Sequence, residues 1–105
     1  MMTVCDEMKK LRQMLDEKNI PWHDNSEVMS EDKDWPMWIC RTHIEYNGHK
    51  FSVVNGFGTY GGWYGANPGT TEKENMGLLE LMIGDTEPSG WLKAEDIIKA
   101  MGEEK

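Results

Sequence analysis

Gly56, Gly58 and Gly61, in the stretch NGFGTYGGWYG, have the G-x-G-x-x-G spacing of loops that hold nucleotide phosphates, and they follow the apolar run FSVV. Such a loop needs a buried parallel strand before it. It also needs a helix opening at its third glycine, whose first amides and dipole hold the pyrophosphate. Gly62, Gly65, Pro68 and Gly69 follow instead, so no helix is expected there. A kinase-type glycine loop would require a catalytic lysine on the next strand and a far larger domain. A P-loop would require G-K-[ST], which the chain lacks. The glycines are therefore read as turn residues, and attention moves to the aromatics between them: Phe57, Tyr60, Trp63 and Tyr64.

Cys40-Arg-Thr-His43 has the C-x-x-H spacing of a zinc ligand pair. On a strand these two residues point to opposite faces, which argues against the site. His49 shares the face of Cys40 but lies roughly 20 Å along the strand. Cys5 stands near a helix N-terminus, which would lower its pKa, but Asp6 and Glu7 oppose that, so a buried structural thiol is expected. No serine sits in a nucleophile-elbow context, and no histidine–carboxylate–nucleophile set can be assembled. The expectation is a protein without catalytic residues, metal or cofactor.

Placing these residues requires elements. Val4, Met8, Leu11 and Leu15 form one stripe of an amphipathic helix. Thr3 would be its N-cap, with Asp6 completing a capping box, Asn19 its left-handed stop and Pro21 its terminator. IPWHD reads as a short extended piece, and residues 24–36 as a solvated acidic loop. Met37 to Val54 reads as two strands joined by Asn47-Gly48, a strong hairpin signal. Its two-residue turn opposes Tyr46 to His49, Glu45 to Lys50, Ile44 to Phe51 and Thr42 to Val53. Trp38, Cys40, Thr42, Ile44, Tyr46, Phe51 and Val53 then share the core face, and the Glu45–Lys50 pair lies on the solvated one. MGLLELMIG fits a third strand, since a hairpin alone makes a poor sheet, although a helical face fits it nearly as well. AEDIIKAM is a helix burying Ala94, Ile97, Ile98 and Met101, with Gly102 ending it. The expected fold is a single α+β domain over residues 1–105: a small antiparallel sheet of about three strands packed by an N-terminal and a C-terminal helix.

Composition narrows the function. A formal net charge of −8 argues against nucleic acid as ligand, because phosphate binding needs Lys and Arg. No run of apolar residues is long enough for a membrane span, and the charged N-terminus lacks a signal-peptide core. Two cysteines make no disulfide framework, so a cytoplasmic setting is expected. Between residues 37 and 71 the charged side chains are Arg41, Glu45 and Lys50 alone, whereas acid concentrates on either side, including Asp32 and Asp34. The irregular segment at roughly 57–73 is too long for a simple connection, and too aromatic for a disordered one. Its aromatics either cover the sheet as a structural lid or form a binding loop, for Tyr and Trp dominate interface hot spots.

The segments NGFGTYGG, GLLEL and GWLKAEDII, after a helix ending in NIPWHD, resemble short uncharacterised proteins carried by phages and prophages of gut Firmicutes. That resemblance implies a mobile-element accessory protein, many of which block a host defence component such as a CRISPR effector. The resulting expectation is a non-enzymatic binder of a protein with a basic surface, using Phe57, Tyr60, Trp63, Tyr64, Asp32 and Asp34. The alternative is a protein that sequesters a planar small molecule between those aromatics.

Overall fold

In a computed structural model, residues 4–30, 37–56, 59 and 77–103 are described. Helix α1 spans Asp6–Glu17, and strands β1 (Trp22–Asp24), β2 (Glu27–Ser30), β3 (Met37–Tyr46), β4 (His49–Gly56), β5 (Leu79–Ile83) and β6 (Ser89–Leu92) follow, before helix α2 (Ala94–Glu103). The α+β class and the antiparallel sheet agree with the sequence. The strand number does not: among the described residues the sheet has six strands rather than about three, ordered β1-β3-β4-β5-β6, with β2 also paired to β3. The three additional strands are short edge pieces (WHD, EVMS and SGWL) with little hydrophobic alternation. Their pairing comes from the neighbour they join rather than from their own pattern. The acidic stretch read as a loop thus contains β2.

The hairpin has the expected register throughout, from Tyr46 opposite His49 to Thr42 opposite Val53. Asn47 and Gly48 take φ of 52° and 77°, the left-handed pair of a type I′ turn. Within MGLLELMIG, Leu79–Ile83 form a strand, with Leu79 and Leu81 buried on the core face. Met8, Leu11 and Leu15 of α1 and Ala94, Ile97 and Met101 of α2 meet Trp38, Cys40, Ile44, Phe51, Val53, Leu79 and Leu81 in one cluster. Both helices therefore cover the same face of the sheet. Among the described residues no helix is long and apolar enough to cross a membrane.

The helix ends show how far capping chemistry holds. Asn19, at φ 56°, stops α1: its amide donates to the Asp16 carbonyl at 3.1 Å, and the Ile20 amide to the Leu15 carbonyl at 2.9 Å. This is a Schellman stop with Asn in glycine's place. The expected start is displaced, for Cys5 is the N-cap and makes no side-chain cap bond, while Asp6 is already helical. Gly102 lies inside the last turn of α2 rather than after it. At the start of α2 the Lys93 amide donates to Asp96 Oδ2 at 2.9 Å, and the Ala94 amide to Glu7 Oε1 at 2.8 Å. A carboxylate of α1 thereby accepts from the first amide of α2, where the helix dipole favours negative charge.

Candidate functional site

β4 runs antiparallel to both of its neighbours. The parallel strand that a dinucleotide loop requires is thus missing from Gly56's own element. Gly56 has a different reason to be glycine. Its φ is 148°, and a Cβ there would stand 2.3 Å from the Trp38 carbonyl oxygen and 2.9 Å from Ile39 Cα. The β4 backbone can lie this close to β3 only because Gly56 has no side chain. Next, the Gly56 amide donates to Thr59 Oγ1 at 2.9 Å, and the Thr59 hydroxyl returns to the Gly56 carbonyl at 2.9 Å. Across the gap, buried Asn55 donates from Nδ2 to the Leu78 carbonyl at 2.7 Å. The points where the aromatic segment leaves the sheet and re-enters it are thus clamped to each other.

Register places further anchors at this same end. Ser30 pairs with Met37, so the acidic segment between them leaves β2 and enters β3 there. Ile39 pairs with Gly56, and Leu79 with Leu92. Next to Leu92, Trp91 lies at a register shift of β6 and holds φ of 56°, an uncommon conformation for a bulky residue. It is 53% exposed. The six residues expected to bind a partner (Phe57, Tyr60, Trp63, Tyr64, Asp32 and Asp34) lie outside the described residues. What the structure gives is the frame from which their segments emerge. Trp91 was not among the expected site residues, because neither the helical nor the strand period singles it out.

The face opposite α1 and α2 carries a second feature. A depression of about 560 Å³ is lined by His23, Asn25, His43, Glu45, Lys50, Ser52, Met82 and Asp85, among others. His23 is directly opposite His43 across the β1–β3 ladder, and Ser52 opposite His43 across β3–β4. The Asn25 amide contacts His43 Nδ1. Burial holds the His43 pKa below its usual value, helped by the charge of Arg41 and by His23.

β1 is fixed from beneath by a half-hidden arginine. Arg12 donates through Nε to Thr42 Oγ1 at 2.9 Å, approaches Asp24 Oδ1 at 3.4 Å, and lies 4.7 Å from the centre of the Trp22 ring. Trp22 Nε1 in turn donates to Asp16 Oδ1 at 2.9 Å. Asp24 accepts from the Ser26 hydroxyl and amide, which, with Arg12, hold its carboxyl below the usual range. Ser26 Oγ then accepts the Arg41 amide at 3.0 Å, bridging the break between β1 and β2.

The remaining sequence candidates separate. Cys40 is buried under the helices while His43 lies on the opposite face, which disposes of the C-x-x-H pair. Burial pushes the Cys5 thiol above its ordinary pKa, as suits a packed rather than a reactive cysteine. Among the described residues no three His, Cys, Asp or Glu side chains stand close enough to share a metal ion. Comparison with protein families, with curated proteins and with solved structures gives no match, so function here is read from this chain's own chemistry.

Proposed function

We propose that the protein is a non-enzymatic binder that blocks or modulates a protein partner with a basic surface. The phage-protein resemblance makes a cytoplasmic host defence component, such as a CRISPR effector, the leading class of partner. The observation that carries this reading is the common anchoring of two segments at one end of the sheet. The acidic segment with Asp32 and Asp34 is rooted at Ser30 and Met37. The aromatic segment with Phe57, Tyr60, Trp63 and Tyr64 is rooted at Asn55 and Leu78. Aromatic anchors beside carboxylates suit a basic surface: the rings supply buried area, and the charges supply steering and register. Exposed Trp91 at the same end adds a third contribution.

The test is capture of a partner from host lysate by immobilised protein at low and high salt, with the wild type and with Trp63→Ala/Tyr64→Ala. A basic partner released by salt and lost with the double variant, whose circular dichroism matches the wild type, is the expected result. Retention of the partner by the folded double variant would remove the loop from the mechanism.

A further inference from the structure

The chain has three histidines, and two of them, His23 on β1 and His43 on β3, face each other across one antiparallel ladder. Their strand neighbours Trp22, Thr42 and Ile44 pack toward the helices, so both imidazoles project from the opposite face of the sheet. Directly opposed residues have Cβ atoms about 4.5–5.5 Å apart. From there two imidazoles can reach one ion through metal–nitrogen bonds of about 2.1 Å.

Glu45 is two residues beyond His43 on the same strand and therefore shares its face. Its side chain is exposed and stands outside both ion pairs of the described residues, Lys10–Glu95 and Arg12–Asp24. The three groups do not close on a common point as they stand. Closing them on one ion requires rotation of these side chains about their own bonds. All three line the same open depression, which leaves room for water to complete a coordination sphere.

Asn25 supplies an orienting group. Its Nδ2 stands against His43 Nδ1. Turning the amide over puts Oδ1 against the ring, where it accepts the Nδ1 proton and leaves the Nε2 lone pair for a ligand. Metal-bound imidazoles commonly hold their other nitrogen this way.

The geometry points to a divalent transition-metal site made of His23, His43 and Glu45, with Asn25 orienting the His43 ring. This goes beyond the partner-binding reading and does not depend on it, since the two features occupy different parts of the sheet. Two imidazoles and a carboxylate select nickel, cobalt, copper or zinc over magnesium and calcium.

Nickel titration of chelator-stripped protein, followed by calorimetry and by the ring resonances of the three histidines, provides the test. One ion per chain is expected, with paramagnetic broadening of His23 and His43 and a sharp His49. His23→Ala and His43→Ala should each weaken binding at least tenfold, Glu45→Gln should weaken it less, and Asn25→Ala should cost about tenfold. His49→Ala should change nothing. Calcium or magnesium at the same concentration should leave all three rings unmoved. Absence of nickel binding, or unchanged affinity in His23→Ala with a native amide spectrum, would overturn the assignment.

Discussion

A methyl group at Gly56 would meet the Trp38 carbonyl oxygen at 2.3 Å, and it cannot move aside, because both sides of the contact are backbone. Gly56→Ala must therefore separate β3 from β4 at the end where the aromatic segment begins, and also hold a non-glycine residue at φ 148°. Conformational strain alone costs on the order of 1–3 kcal/mol. Urea unfolding of Gly56→Ala should show a loss of at least about 2 kcal/mol, larger than that of Gly48→Ala, which bears the strain of φ 77° but meets no atom within 4 Å. Equal losses for the two would mean that close approach is not what fixes Gly56. The sequence made Gly56 visible as part of a motif but gave it the wrong physics, since the distance to Trp38 exists only once β3 and β4 pair. Arg12 was hidden for the same reason. It lies off the apolar stripe of α1, and its partners Asp24, Thr42 and Trp22 are brought to it only by the assembled sheet.

At the scale of elements, the strongly periodic pieces were legible and the edge pieces were not. The hairpin register followed from one Asn-Gly turn, and both helices from their stripes. β2 and β6 have no periodicity of their own to read, and β1 is held by the Arg12–Asp24–Ser26 relay as much as by its ladder. That relay makes the β1 edge sensitive to acid. His43 is shifted downward, so the fold favours its neutral ring. Its contribution is complete above the unfolded value of about 6.5 and is lost as the pH falls through that value toward the folded one. Asp24 is also shifted downward, so its contribution is present above the unfolded carboxylate value of about 3.9 and disappears as the pH falls below it. Amide exchange in the presence of a chelator should therefore show Trp22–Asp24 opening in two steps, one starting near pH 6.5 and one below about pH 4. β4 should stay protected through the first step. His43→Gln should remove that upper step alone; an unaltered profile in this variant would exclude His43 as its source.

For the whole molecule, the question is what residues 57–76 contribute to stability, because a structural lid and a binding loop predict opposite signs. The sheet on either side is self-sufficient in register: Phe51–Val54 pair with Glu80–Ile83, and Asn55 ties the exit to the return at Leu78. Replacing residues 60–76 by four Gly/Ser residues shortens the loop closed between Asn55 and Leu78 by between about two- and threefold, which by loop-closure entropy favours the folded state by about 0.8 kcal/mol. If the aromatics act in binding, the shortened protein keeps its fold, melts at or slightly above the wild-type temperature, and no longer captures its partner. If Tyr60, Trp63 and Tyr64 instead cover the sheet, their loss exposes apolar surface worth about 1.5–3 kcal/mol for each fully buried ring, which outweighs the entropic gain. The melting temperature would then fall by roughly 4–8 °C for each net kcal/mol in a domain of this size. The sign of that shift, measured by calorimetry on the metal-free protein, separates the two roles before any partner is known. A fall of ten degrees or more would recast the aromatic segment as part of the core, and the binding surface would have to be sought around Trp91 and the acidic segment instead.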